Sequence, residues 1–326
     1  MRSHSYDFVP RDLARLIAPT LAIVALAAGV LHAAVHLNWL PRPRPTLDVD
    51  RTIVIHKIEA SASRQDAEVL LMGDSSCLMD LSALKLSSEI GRPVLNLGTL
   101  SYLDLNAHAT LLRRFVAANP NQLKAVVLLL HPEALRRPAP EQYHTNVFEH
   151  FVAGRDHVTK RTLAHWLGLE SFRTRVLSRA LPTPLGGAYG QRYGFSSDLQ
   201  SYLTRHRGSA IDPDPKAFQG NPEYRLAPQL ESQSRSFKTA VPAGIKLFVA
   251  ITPVPAGFAP PNYPRQHRQL LEQWGQWLGA DATLTNLPGT LPDNLFAKTT
   301  HLNEAGTAEF TALLARDLAA ALGRPE

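Results

Sequence analysis

Short apolar runs alternate with amphipathic stretches along most of this chain. Ala67–Met72 reads as a buried strand that stops at Gly73-Asp74-Ser75, and a helix-forming run starts near Leu78 and continues as Asp80–Ile90. Pro93–Leu97 predicts a second strand, ending in Gly98-Thr99. Leu103–Ala118 places Leu105, Ala109, Leu112, Phe115 and Val116 at helical spacing. Leu123–Leu130 is apolar throughout, as a strand covered on both faces must be. The alternation then lapses, and Arg, His, Pro, Gly and Tyr dominate up to residue 240. Helical pieces are predicted around 158–180 and 221–238, so 133–240 reads as an insertion over the sheet. The pattern resumes with a strand at Ile245–Ile251, an amphipathic helix at Tyr263–Leu278, a weaker strand at Ala282–Leu287 and a last helix at Asn303–Leu322. Such alternation predicts an α/β domain with a parallel sheet.

A different pattern precedes the domain. Residues 1–15 form a polar tail. Leu16–Leu40 then runs 25 residues without Asp, Glu, Lys or Arg, long enough to span a bilayer. It exceeds the apolar core of a signal peptide and no clear cleavage site ends it, so an uncleaved anchor is expected. Trp39 falls where an interfacial aromatic would sit. Residues 41–66 are read as a linker that opens with the stiff Pro41-Arg42-Pro43-Arg44-Pro45. The favoured topology is a single-pass protein with 1–15 in the cytoplasm, 16–40 in the inner membrane, and the domain at 67–326 in the periplasm or outside the cell.

Composition narrows the function classes. Of 326 residues, 44% are hydrophobic and 19% charged, which describes a folded protein. The net charge of +6, from 34 basic and 28 acidic residues, is spread over many segments, and no basic–aromatic alternation points to nucleic acid. Cys77 is the only cysteine, so no internal disulfide can form. His144, His150, His157 and His165 are irregularly spaced and do not outline a metal site, and no cofactor motif is present.

Candidate chemistry sits at the first strand end. A hydroxyl at Ser75 would stand at the C-terminal end of a strand, where open α/β sheets bind ligands, ahead of a helix start whose N–H groups can stabilise an oxyanion. Serine needs a base to act as a nucleophile, and His301, in a loop before the last helix, is the candidate. Asp74 is suited to holding the turn through neighbouring N–H groups. Asn96 is suited to tying down the second strand end.

Gly73-Asp74-Ser75, Asn96-Leu97-Gly98 and His301-Leu302-Asn303, in this order, resemble the blocks of the SGNH (GDSL-type) hydrolases. The resemblance covers about 67–132 and 243–322. It implies a flavodoxin-like three-layer fold with a parallel sheet, with Ser75 as nucleophile, His301 as base, and the N–H groups of Ser75 and Gly98 in the oxyanion hole. The anchor and insertion resemble a subgroup that works beside membrane-bound O-acyltransferases to acylate cell-envelope polymers. Two positions depart from the family. Lys298 stands three residues before the histidine, where the family has Asp; Asp293 or a backbone carbonyl is then the candidate support for His301. The segment after strand three, Leu130-His131-Pro132-Glu133, lacks the family's Asn, and His131 is the candidate substitute donor. The expected function is a serine-ester acyltransferase or esterase acting on O-acyl groups of envelope or secreted polysaccharide. The alternative is a catalytically degenerate protein that binds polymer or an acyltransferase partner.

Overall fold

A computed structural model describes residues 10–37, 39, 49–100, 103–153, 199–212 and 215–323. The chain divides into two compact units, residues 1–46 with 157–183, and residues 47–156 with 184–326. The described part of the first unit is essentially helix α1 (Pro10–His36). Its stretch Ala14–Ala34 has a mean hydropathy of 2.1 and is long and apolar enough to cross a membrane; a signal sequence has the same character. Leu16, Leu21, Ile23 and Leu26 all stand exposed on it, and Trp39 beyond it is exposed too. Most of the expected tail, the proline-rich start of the linker and the helical pieces around 158–180 lie outside the described residues.

The second unit is built on a five-stranded parallel sheet. Its strands are β1 (Val69–Gly73), β2 (Val94–Asn96), β3 (Ala125–Leu130), β4 (Lys246–Ile251) and the short β6 (Ala282–Thr283), in the spatial order β2-β1-β3-β4-β6. β5 (Val254–Pro255) pairs outside this sheet with β7 (Thr290–Leu291). Strand alternation sorts the core into two layers. Leu70, Met72, Val126, Leu128, Leu130, Val249 and Ile251 pack on one face with α2 (Val49–Ala62), α5 (Leu105–Ala118), α6 (Gln229–Lys238) and α7 (Tyr263–Leu278). Val69, Leu71, Val127, Leu129, Phe248 and Ala250 pack on the other with α4 (Ala83–Ile90) and α8 (Glu304–Leu322). Both faces are thus covered, which explains why these strands read as unbroken apolar runs. Truncating a central residue such as Leu128 to Ala is worth about 2–5 kcal/mol of stability at such a site.

Local signals account for the element ends. Ser82 caps α4 and Gly91 closes it in the left-handed conformation. Asn303 caps α8 by accepting from Gly306 N–H. Three expectations are corrected. Helix formation after β1 begins at once, as the five-residue α3 (Ser75–Met79), and Asp80 ends that helix; it does not begin the next one. The expected linker holds α2, whose Ile53, Val54, Ile55 and Ile58 are buried against the core, with Thr52, Lys57 and Ser61 buried beside them. A helix buried on nearly all sides has no polar face to mark its period, so its pattern was hard to see. Finally, His301 does not lie in a loop. It opens β9 (His301–Leu302), which pairs antiparallel with β8 (Phe296–Lys298) in a tight hairpin.

Candidate active site

The strand order reverses between β1 and β3: the chain passes from β1 to one side and returns to the other. The crevice beyond the strand ends at such a point is where open α/β sheets bind ligands. The ends of β1 and β3 deliver Asp74-Ser75 and His131 there.

The turn after β1 is set by close packing. A Cβ on Gly73 would fall 1.7 Å from Leu129 O, so only glycine lets β1 approach β3 this closely. Asp74 then caps α3. Its Oδ1 accepts from Ser76 N–H (3.0 Å) and Ser76 Oγ–H (2.6 Å), and its Oδ2 accepts from His131 N–H (3.0 Å). Asp74 therefore pins the end of β1 to the end of β3. Burial raises its carboxyl above the usual range, opposed by the bonds from Ser76 and His131. Ser76 is fully buried, and its Oγ also accepts from Thr252 Oγ1–H (3.2 Å). Ser75, by contrast, faces a cavity of about 230 Å³ that Asp74, His131, Arg137, Thr300 and His301 help to line.

His301 Nε2 lies 2.8 Å from Ser75 Oγ. His301 Nδ1 lies 2.6 Å from Asp212 Oδ2. A carboxylate only accepts, so Nδ1 carries the proton and Nε2 keeps the lone pair that faces the serine hydroxyl. Hydroxyl, imidazole and carboxylate thus stand in hydrogen-bond sequence, an arrangement that can let a serine attack a carbonyl. Asp212 comes from the insertion, 89 residues before the histidine. It has no local sequence signal: Ile211-Asp212 sits among prolines in a stretch without periodicity. Lys298, the residue at the expected acid position, reaches the same carboxylate, with Nζ 2.5 Å from Asp212 Oδ2.

The segment that carries Asp212 is pinned from both sides. Asn96 N–H donates to Arg207 O (2.8 Å), Ala210 N–H to Leu78 O (3.0 Å), and Ala83 N–H to Ser209 Oγ (3.0 Å). Past the acid, Lys216 N–H donates to Ala297 O (2.7 Å), and Thr299 Oγ1 exchanges bonds with Gln219 N–H and O. Beneath the segment, fully buried Lys57 donates to Asn96 O (2.9 Å) and to Gly208 O. Burial lowers its ammonium to about 7. Asp80 anchors the histidine hairpin by accepting from Leu302 N–H (2.8 Å). Desolvation raises this carboxyl well above the usual range, and Asp74 and Asp212 raise it further.

The remaining candidates have other duties. Gly98 N–H donates to Asn96 Oδ1 (2.8 Å), so it is already committed and is withdrawn as an oxyanion donor. Asn96 Nδ2 donates to Cys77 O (2.7 Å) and Ser209 Oγ (3.2 Å), which makes Asn96 a strut between β2, α3 and the insertion. Asp293 accepts from Gly257 N–H (2.8 Å), and the place at His301 Nδ1 proposed for it belongs to Asp212. His131 Nδ1 accepts from Glu133 N–H (3.1 Å), leaving the proton on Nε2. That Nε2 makes no hydrogen bond and is sealed from solvent, although the ring borders the cavity. Burial, then the nearby His301, lowers His131 to about 3, so it is neutral near pH 7. Among the described residues, no group of three metal-ligating side chains is assembled. His144 packs instead between Asp50 (3.1 Å) and Glu141 (3.2 Å). His157 and His165 lie outside the described residues.

No family model, no curated protein and no solved structure matches the chain.

Proposed function

We propose that this chain is a membrane-anchored, serine-dependent acyl-transfer catalyst of the SGNH type. The observation that carries the reading is the Ser75–His301–Asp212 sequence of contacts at 2.8 and 2.6 Å, beside a cavity at the reversal of strand order. The spatial order of the first four strands, 2-1-3-4, is in keeping with the flavodoxin-like fold that the three sequence blocks imply.

In this reading His301 Nε2 takes the proton as Ser75 Oγ attacks the carbonyl carbon of an ester. The Ser75 N–H, in the first turn of α3 where backbone donors lack intrahelical acceptors, faces the developing oxyanion. Asp212 holds the Nδ1–H tautomer and stabilises the imidazolium. His301 then returns the proton to the departing alkoxide, leaving an acyl ester on Ser75. An incoming hydroxyl, from a sugar or from water, gives its proton to Nε2 and attacks the acyl carbon, and Nε2 returns the proton to Ser75 Oγ as that oxygen leaves. The acceptor class is a polysaccharide of the envelope or a secreted polymer, with the domain on the far side of the inner membrane and a membrane-bound O-acyltransferase as donor partner. α1 serves as the anchor.

The test gives the full chain, in detergent or a nanodisc, a small activated acetyl ester, and compares Ser75→Ala and His301→Ala. Turnover lost in both variants, with a serine-reactive phosphonate captured at Ser75, supports the reading. A wild-type chain that neither turns over the ester nor captures the phosphonate would leave the polymer- or partner-binding alternative.

A further inference from the structure

We propose that Lys298 is a positioning residue, whose ammonium latches the insertion-borne Asp212 onto His301. The consequence for turnover rests on the catalytic reading above; the latch itself does not.

Lys298 and His301 are paired across the β8–β9 hairpin, so one rigid element presents both groups. Both contact one oxygen, Asp212 Oδ2, at 2.5 and 2.6 Å. The Asp212 side chain is only 3% exposed, whereas that of Lys298 is 26% exposed. To act as a base the imidazole must start neutral. A buried carboxylate beside a neutral ring is costly to desolvate, and a cation in contact lowers that cost. Lys298 supplies a cation in contact and makes it favourable for the insertion segment to put its carboxylate here, ionised.

The arrangement has an opposing side. Once His301 takes the serine proton, two cations share one carboxylate oxygen, which disfavours the imidazolium. Solvent reaches Lys298, so this repulsion is partly screened, whereas the contact attraction to Asp212 is short and poorly screened. Ordering of the acid therefore outweighs the repulsion, and Lys298 assists the site. A pure brake would act in the opposite direction.

That difference in sign is measurable. The full chain, histidine-labelled and in a nanodisc, is expected to show a far-downfield proton from His301 Nδ1–H bonded to Asp212, identified by its loss in His301→Ala. Lys298→Met is expected to lose this resonance or move it upfield, and Lys298→Arg to keep it. On the activated ester, Lys298→Met is expected to lower kcat about 100-fold, the scale of a misplaced catalytic group. KM is expected to be unchanged, because Lys298 does not line the cavity. Lys298→Arg is expected to restore most of kcat. If Lys298→Met does not fold, as judged by its thermal transition, Lys298→Gln answers the same question. The proposal is overturned if the wild type lacks the resonance, if the neutral variant keeps it unmoved, or if that variant turns over as fast as wild type or faster. A wild type that shows the resonance but neither turns over the ester nor captures the phosphonate sinks the catalytic reading and leaves the latch to be judged by the spectra alone.

Discussion

The two halves of the candidate site are held by different means. The turn that carries Ser75, Gly73–Cys77, is shaped largely by its own residues: a strand ends, Asp74 caps the next helix through Ser76 two positions on, and its tie to the sheet is to the adjacent end of β3, at Leu129 and His131. The acid segment, Arg207–Asp212, has local bonds at its start, where Arg207, Gly208 and Ser209 N–H donate to Thr204, Leu203 and His206 O. It is held by Asn96, Leu78, Ala83 and Lys57, each more than 100 residues away in sequence. A short-range turn is specified by its own residues, while a long-range segment is specified by what it docks on. The first should tolerate changes away from the strand ends it packs on. The second should fail whenever its docking surface is altered.

The largest effects belong to the shared chemistry. Ser75→Ala and His301→Ala should each lower kcat on an activated ester on the order of 10⁶-fold, the loss seen when such a unit is broken. Asp212→Asn should cost about 10⁴-fold, since an amide no longer fixes the imidazole tautomer. Asp293→Asn should stay within about twofold, as for a surface group outside the site. Equal effects at Asp212 and Asp293 would remove the insertion from the site.

Gly208→Ala probes the docking surface directly. Gly208 has φ +89°, and a Cβ there would meet Asn96 O at 2.1 Å. We expect about a 100-fold loss of kcat from displacement of the acid segment. Phosphonate capture at Ser75 should slow with it, because His301 loses its orientation. A variant with wild-type turnover would show that the segment is not rigidly docked.

Lys57→Met should cost about 1–3 kcal/mol for each carbonyl left unpaired, at Asn96 and Gly208, read from denaturant midpoints. The loss should depend on pH. Lys57 titrates at about 7 when folded, against 10.5 when free. Between these values the unfolded chain binds the extra proton, so the contribution of Lys57 to stability rises with pH across this window and is lower below it. The difference between wild type and variant should therefore be greater at pH 10 than at pH 6, and a pH-independent difference would count against a buried lysine.

The smallest expected effect lies away from the site. His108 is fully buried in α5 with both ring nitrogens unpartnered, and burial lowers it to about 4. The unfolded chain binds a proton below 6.5 that the folded one accepts only near 4, so stability is lost as pH falls through that range. His108→Leu should flatten this acid limb and add about 1 kcal/mol near pH 7, without changing turnover.

How much was legible follows the same division. The apolar runs at β1, β3 and β4 announced a parallel sheet because each lies between two covered faces. Tyr263–Leu278 was readable to its ends, since Gly279 closes it and its apolar stripe has one period. Ser75 and His301 were readable because strand end, turn and helix start are short-range features. Helix α2 was missed because it is buried nearly all round, with even Lys57 inside. Lys298 looked like a defect because its carboxylate partner lies elsewhere in the chain. Asp212 was not readable at all, being one aspartate among prolines.

By itself, then, the sequence determined the alternation of strands and helices, the apolar N-terminal helix and the turn that exposes Ser75. These depend on interactions a few residues long, or on the average polarity of a stretch. Only the tertiary structure decided which acid meets His301, which cation meets that acid, and that Gly98 N–H is already used. The first two are pairings across more than eighty residues, at 2.6 and 2.5 Å, and leave no trace in the spacing of the residues that make them. The third is a bond to a side chain two residues away, and it depends on where the tertiary structure turns Asn96 Oδ1.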